Sequence, residues 1–161
     1  ALVGVDVTSD GTDYEQATPM RERVEEATGA KVKEHLVDGG YASLKTIDEG
    51  EKSGTTMYAP VSKKCRNRNP DADPYARKKH DTDETYAWRQ RMTTAEAKAI
   101  YKDRGSTIET INGDLTEHRG LRRLRVRGPT KVRCVVLLLA LVYNLRQFKN
   151  VLIAALCAKK S

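Results

Sequence analysis

Alternation between two hydrophobic periodicities in the first part of the chain restricts its possible folds more than any other feature. Short apolar and β-branched runs predict strands at residues 2–8, 34–38 and 55–61. Between these runs, apolar side chains at helical spacing predict a helix over residues 14–28, and cap and stop signals predict a helix over residues 44–53. Strands separated by helices are typical of a sheet with crossover connections, so we expect an α/β fold.

Residues with special backbone or capping preferences mark the ends of these helices. Gly29 and Gly54 follow the helices and suit the left-handed conformation that often ends a helix. Ser43 stands where its hydroxyl group would cap the first turn of the second helix.

The next part of the chain has a different composition. In residues 62–87 charged residues and prolines replace nearly all aliphatic side chains, and we expect a mobile basic insertion. Residues 88–128 follow, and Thr93 and Glu96 form a capping-box pattern that predicts a helix. Gly105 is expected to interrupt this helix before a second one begins.

Residues 129–159 contain the most apolar part of the chain and predict a long C-terminal helix with Pro129 in its first turn. A helix this apolar needs a buried position. The chain has three cysteines, Cys65, Cys134 and Cys157, without a CxxC pair, and we expect free buried thiols in a reducing cytoplasm. The longest uninterrupted apolar run has ten residues. A membrane span needs ~20, so none is expected.

Charge is distributed unevenly along the chain. Residues 1–61 have 6 Lys and Arg against 12 Asp and Glu, whereas residues 62–161 have 23 against 10. Residues 119–133, which we call the basic cluster, contain seven basic residues and no acid. These are Arg119, Arg122, Arg123, Arg125, Arg127, Lys131 and Arg133. Such a density favours contact with phosphates over the alternative, a solvated basic connector.

Two acidic residues are candidates for catalysis. Asp38 ends a predicted strand, and catalytic groups of α/β sheets gather at such ends, although an Asp-Gly pair also simply forms turns. Glu109 lies between Ile108 and Ile111, near the edge of an apolar helix face, where it could point toward the sheet. A surface glutamate on an amphipathic helix is the alternative, and spacing alone does not decide between the two.

Several motifs occur in an order that resembles bacterial insertion-sequence transposases of the DDE superfamily, and the resemblance covers essentially the whole chain. The motifs are Val37–Tyr41, Trp88–Met92, Tyr101 with Arg104 and Glu109, His118–Leu121, Arg125–Gly128 and Ala140–Leu145. Each motif is weak separately, whereas their order and spacing together are specific. The resemblance implies a ribonuclease H-like mixed sheet with flanking helices, related to that of retroviral integrases.

The resemblance also implies a catalytic site in which three acids bind two Mg²⁺ or Mn²⁺ ions. Asp38 matches the second acid and Glu109 the third, and Tyr101 and Arg104 match positions that family members place near DNA ends. Hard divalent cations prefer carboxylate ligands, which agrees with this assignment.

The sequence departs from the family pattern at two places. The first acid of relatives lies on a strand upstream of the segment that matches residues 1–8, so the chain is expected to be N-terminally truncated and inactive alone. Asp6 is a strand acid in this segment but aligns with a later strand, and we do not assign it as the missing ligand. Many relatives have a lysine seven residues after the glutamate, where this chain has Thr116, and Arg119 or Arg122 are candidates to replace it.

The resemblance therefore predicts a transposase that cleaves transposon ends and transfers the strands to target DNA. Its partner is double-stranded DNA, contacted by Arg104 and the basic cluster, and the full-length protein is expected to be a homodimer in the bacterial cytoplasm, associated with the nucleoid. The alternatives are a catalytically inactive DNA-binding remnant, an inhibitor of the full-length enzyme, or a ribonuclease H-like nuclease that cuts without joining.

Overall fold

The architecture was derived from a computed structural model that describes residues 1–9, 15–62 and 73–158. In this part of the chain, helices accompany one two-stranded parallel sheet, as expected for an α/β protein. Cys65 and much of the predicted insertion lie outside the described residues.

The chain divides into two compact units. Unit 1 comprises Ala1–Ser9 and Glu109–Ser161, and unit 2 comprises Asp10–Ile108. The division falls within one helix, so each unit is described separately below.

Unit 2 contains both strands and most of the helices. Its elements are α1 (Ala17–Thr28), β1 (Glu34–Leu36), α2 (Leu44–Lys52), β2 (Thr56–Tyr58), α3 (Asp83–Arg91) and the larger part of α4 (Ala95–Gly113). Strands β1 and β2 are parallel, with Glu34 opposite Thr56. Helix α2 connects them, which makes β1–α2–β2 the crossover unit that the sequence predicts.

The predicted helix boundaries in unit 2 are confirmed at three places. Gly29 ends α1 with a φ of 65°, and its N–H donates to the carbonyl oxygen of Glu25. The Ser43 hydroxyl caps α2 by accepting from the backbone N–H of Thr46 at 3.0 Å. Gly54 follows the end of α2 with a φ of 81°.

The hydrophobic core of unit 2 lies between the two strands and the helices around them. Its members share near-complete burial: Ala17, Val37, Ile47, Met57, Tyr58, Ala59, Val61, Trp88, Met92 and Ala97. Gly50 on α2 allows Met57 to approach closely, because a Cβ atom at Gly50 would lie 2.4 Å from the Met57 sulfur atom. The core thus joins residues of the basic part of the chain after residue 61, such as Trp88 and Met92, to residues of the strands.

Two arginines of α3 attach this helix to the rest of unit 2. Arg89 donates from Nε and Nη2 to Asp81, and neither side chain is more than 5% exposed. Arg91 holds both carboxylate oxygens of Glu51 and also donates to the carbonyl oxygen of Met57 at 3.1 Å. Helix α3 begins inside residues 62–87, so the predicted insertion includes the start of a helix. The reason is that Thr82 caps the helix and Trp88 is buried in the core.

Unit 1 is mostly helical from residue 109 to residue 158. A short π-helical turn (Asp114–His118) and a 3₁₀ turn (Leu121–Arg123) precede α5 (Pro129–Gln147) and α6 (Lys149–Ala158). Pro129 is the first residue of α5, as predicted.

The strand predicted at residues 2–8 does not form. Residues 1–9 have no regular secondary structure, and the described part of unit 1 contains no strand with which they could pair. Instead, the side-chain amide of Asn144 accepts from the N–H of Leu2 at 2.8 Å and donates to its carbonyl oxygen at 2.7 Å. The described sheet is accordingly parallel and not mixed.

Two predictions for the helix that begins near Thr93 need correction. Helix α4 runs through Gly105 without a break. The hydroxyl groups of Ser106 and Thr107 donate to the carbonyl oxygen of Asp103. The hydroxyl that accepts from Ala97 in the first turn of α4 belongs to Thr94 and not to Thr93.

The predicted long C-terminal helix is divided into α5 and α6, which are bent by 69°. The break is at Phe148, whose φ of −105° and ψ of 13° depart from helical values.

The apolar surface of α5 and α6 is exposed, which contradicts the predicted burial of the C-terminal helix. Leu138 is 61% exposed and Leu141 is 52% exposed, and the predicted buried thiols Cys134 and Cys157 are exposed as well. The apolar residues occur on all sides of these helices, so packing against the rest of unit 1 leaves many of them uncovered. Within the described ranges no single helix is long and apolar enough to cross a membrane, and α5 and α6 meet that criterion only as a bent pair.

Candidate functional site

Asp38 lies two residues after β1, in a turn that its own backbone stabilises. Its carbonyl oxygen accepts from the N–H groups of Tyr41 and Ala42, at 2.9 and 3.0 Å. Its Oδ1 atom accepts from the N–H of Gly39 at 2.7 Å, and the side chain is 56% exposed. The turn that the Asp-Gly sequence predicts is therefore present, and the carboxylate remains accessible beyond it.

Arg104 and Tyr101 on α4 lie beside this carboxylate. The Nη2 atom of Arg104 is 3.5 Å from Oδ2 of Asp38. The guanidinium carbon of Arg104 is 5.8 Å from the centre of the Tyr101 ring, which places the cation next to an aromatic face. Unit 2 thus brings together three of the residues that the family resemblance assigned to the site.

The electrostatic environment of Tyr101 reflects this arrangement. Burial raises the pKa of the Tyr101 hydroxyl above its usual value, Arg104 opposes the rise, and Asp38 adds to it. Tyr101 therefore stays protonated at neutral pH and can serve as a neutral platform for the guanidinium group. Nothing in this environment prepares Tyr101 to act as a base.

An open groove next to Arg104 contains acidic residues that the sequence analysis missed. Glu34 and Leu36 of β1 form one side, and the face of α4 from Ile100 to Ile108, which includes Asp103, forms the other. Strand alternation was the available signal for Glu34, because residues 34, 36 and 38 of an extended segment share one side.

Glu109 is an exposed residue of unit 1, near the end of α4. Asp38 belongs to unit 2, so the predicted convergence of these two carboxylates on shared cations stays a prediction. Among the described residues, no group of three or more His, Cys, Asp or Glu side chains is arranged to hold a metal ion. The carboxylate of Asp38 has the hard oxygen atoms that Mg²⁺ and Mn²⁺ prefer, so its chemistry fits such an ion.

The basic cluster of unit 1 divides into paired and exposed residues. Arg119 is half-buried and donates to Asp114, which Arg146 also approaches, at 3.7 Å. Arg122 donates to Glu117 at 3.1 Å on an exposed surface, and Arg133 is 3.6 Å from Asp6.

Four residues of the cluster are exposed and have no ion pair within the described part of the chain: Arg123, Arg125, Arg127 and Lys131. These four cations are available for an external anion. Arg119 has a structural partner instead, and no sequence signal pointed to Asp114 as that partner. Thr116 donates its hydroxyl to the carbonyl oxygen of Asn112 at 2.6 Å.

A comparison with models of protein families matches residues 57–149 to a family described as the transposase DDE domain. The match covers more than half of the chain and contains Tyr101, Arg104, Glu109 and the basic cluster, whereas Asp38 precedes it. A search of curated proteins and a search of solved structures gave no significant match.

Proposed function

The chain belongs to the transposase DDE-domain family, and on this premise we propose that the protein is a DNA transposase that cleaves transposon ends and transfers them to target DNA. The family match over residues 57–149 carries the proposal. The contact between Asp38 and Arg104 supports it, because it joins a residue before the matched range to a residue inside it. We further propose a ribonuclease H-like relationship for the sheet of unit 2.

In this proposal Asp38 and Glu109 hold divalent cations together with a further acid of the full-length protein. Two Mg²⁺ or Mn²⁺ ions, when bound, supply activation of a water or a 3′-hydroxyl group and stabilise the leaving oxygen. The chain itself supplies carboxylate oxygens and a cation beside them. Arg104, whose guanidinium group lies next to the Tyr101 ring, would bind a phosphate near the reacting bond.

The exposed residues Arg123, Arg125, Arg127 and Lys131 are proposed to bind the DNA backbone. Guanidinium groups bind phosphates in a bidentate manner, and four unpaired cations on one segment are suited to several successive phosphates. Arg122 could join them by exchanging its exposed contact with Glu117, which costs little in water. Arg119 contributes to DNA binding only indirectly, by fixing the segment through Asp114. A full-length homodimer bound to double-stranded DNA is part of the proposal.

Strand cleavage by the full-length protein tests the catalytic assignment. Asp38→Asn and Glu109→Gln should each lower the cleavage rate of a labelled transposon-end duplex by more than about 100-fold, since even outer-shell groups of metal sites cost 10–100-fold. Glu26→Gln, which changes an exposed acid on α1, is the control and should retain activity. Intact cleavage in either acid variant would contradict the proposal, and strand-transfer products on the same gel distinguish a transposase from a nuclease.

A DNA-binding protein without catalysis is the second candidate, and the exposed cations of unit 1 favour it. Its test is the salt dependence of duplex binding by the wild-type chain and by the triple variant Arg123→Gln, Arg125→Gln, Arg127→Gln. Each lost phosphate contact lowers the slope of log affinity against log salt by about 0.9, so the triple variant should lose about 3 from this slope. Arg77→Gln in unit 2 is the matched control. Loss of DNA binding in the triple variant, together with no cleavage by the wild-type full-length protein, would favour this second candidate.

A further inference from the structure

Arg104 makes a weaker contact with its carboxylate than Arg89 and Arg91 of the same unit make with theirs. A single nitrogen atom, Nη2, approaches Asp38, at 3.5 Å. By contrast, Arg89 and Arg91 each use two nitrogen atoms on one carboxylate, with Nε of Arg89 at 2.8 Å from Asp81. The pair between Arg104 and Asp38 is therefore more easily exchanged for other partners than the pairs of Arg89 and Arg91.

Arg104 also has hydrogen-bonding capacity that the fold leaves unused. Its Nε atom is buried and has no hydrogen-bond partner among the described residues. A buried donor without an acceptor is unfavourable, so an incoming acceptor gains affinity by satisfying it. The adjacent groove, which Thr107 and Ile108 help to line, is open toward solvent and gives an anion access to the guanidinium group.

The carboxylate of Asp38 has one oxygen atom committed to the fold and one that faces Arg104. Oδ1 accepts from Gly39, and Oδ2 is the oxygen atom near the guanidinium group. A divalent cation at Oδ2 would be repelled by Arg104 in its present position, because two positive charges would share one carboxylate. A metal ion and the guanidinium group of Arg104 are thus alternative partners of Oδ2.

We propose that Arg104 and a divalent cation compete for the Asp38 carboxylate, and that a DNA phosphate releases the carboxylate by drawing the guanidinium group away. This inference rests on the proposed function, because the competition would regulate the same site. The competition makes metal binding and DNA binding cooperative, and by linkage each ligand raises the affinity of the other by the same factor. A purely structural pair, which would only fix β1 to α4, gives no such coupling.

Mn²⁺ binding without DNA tests the competition directly. Free Mn²⁺ is measured by electron paramagnetic resonance during titration of the wild-type chain, of Arg104→Gln and of Arg77→Gln. A long, partly exposed ion pair contributes at most a few-fold to an equilibrium, so Arg104→Gln should bind Mn²⁺ about threefold more tightly than wild type. Arg77→Gln, which removes an exposed arginine that pairs with Asp83, should leave the affinity unchanged.

Two further variants make this comparison decisive. Asp38→Asn added to Arg104→Gln should abolish the gain in affinity, which assigns the gain to this carboxylate. If Arg104→Gln does not fold, as judged by circular dichroism, Arg104→Met keeps the aliphatic stem near the Tyr101 ring and should give the same gain. Equal Mn²⁺ affinity in the wild type and in the folded Arg104 variant would overturn the proposal.

The coupling is tested by repeating the titration with a saturating duplex oligonucleotide, after subtraction of Mn²⁺ bound by the duplex alone. The duplex should tighten Mn²⁺ binding by the wild-type chain about threefold and leave Arg104→Gln unchanged. Equal effects on both would overturn the coupling. If the duplex does not bind the wild-type chain, the proposed function fails, whereas the DNA-free titration still decides whether Arg104 and the metal compete.

Discussion

Arginine residues of the two units have different surroundings. In unit 2, Arg89 and Asp81 form an ion pair in which the side chains are 5% and 0% exposed. In unit 1, Arg122 and Glu117 form a pair in which the side chains are 71% and 58% exposed. Removing one partner of a buried pair leaves an uncompensated charge in the interior, whereas water replaces a lost partner at the surface. The buried arginine Arg89 therefore stabilises unit 2, whereas the exposed pair of Arg122 contributes little to the stability of unit 1.

Apolar side chains differ between the units in the same way. Ile47 and Met57 of unit 2 are 1% exposed, whereas Leu138 and Leu141 of unit 1 are 61% and 52% exposed. Apolar surface stabilises a fold only when it is removed from water. The exposed leucines of α5 therefore contribute little to the stability of unit 1, whereas Ile47 of α2 contributes to the core of unit 2.

The largest expected effect is at the buried ion pair. Asp81→Asn should lower the free energy of unfolding of unit 2 by about 4 kcal/mol, because Arg89 would remain buried without a full counter-charge. Glu117→Gln, the matched change in unit 1, should cost less than about 1 kcal/mol. Urea denaturation followed by the fluorescence of Trp88, the single tryptophan and a core residue of unit 2, measures the first effect. Equal costs would contradict the contrast between the units.

The same pair predicts how stability depends on pH. Burial alone would raise the pKa of Asp81, but hydrogen bonds from the Arg89 side chain and the Lys78 backbone outweigh it and lower the pKa below its usual value. The stabilisation is therefore fully present above the unfolded-state pKa of about 3.9 and is lost as the pH falls through the folded-state pKa. Wild-type unit 2 should lose stability in this acidic range, and Asp81→Asn should lose less.

Core truncation gives the next largest contrast. Ile47→Ala should destabilise unit 2 by about 3 kcal/mol, because it removes buried methyl groups and leaves a cavity. Leu138→Ala on α5 should change the free energy of unfolding by less than about 0.5 kcal/mol, as is usual for exposed positions. Circular dichroism in urea monitors both units together and thereby complements Trp88 fluorescence. A cost of several kcal/mol for Leu138→Ala would mean that this side chain is covered in solution.

The parts of the fold that sequence predicts well depend on neighbouring residues. Gly29 ends α1 because few other residues adopt its left-handed backbone, and Ser43 caps α2 because its hydroxyl reaches an N–H three residues away. The exposure of the apolar side chains of α5 was not predictable in this way. An apolar helix pattern indicates that the helix prefers to pack against a partner surface. It does not indicate whether the rest of the unit supplies such a surface.

The candidate site shows the same limit. Sequence analysis proposed Asp38, Tyr101 and Arg104 from motif order, and the structure of unit 2 brings these residues together. The weak geometry of the Asp38–Arg104 pair and the pairing of Arg119 with Asp114 are tertiary contacts that spacing does not encode. The relation of Glu109 to Asp38 stays a prediction, because each belongs to a different unit.

The smallest expected effect concerns helix capping, where the units again differ. Ser43 caps α2 in unit 2 through its side chain, whereas Gly128 precedes α5 in unit 1 without a side-chain cap. Ser43→Ala should destabilise unit 2 by about 1 kcal/mol, and Ser43→Gly, the control, by only a few tenths, since glycine leaves the first turn open to water. Gly128→Ala is expected to be unfavourable for a different reason, its φ of 88°. If Ser43→Ala and Ser43→Gly cost the same, the loss arises from packing around Thr46 and not from the cap.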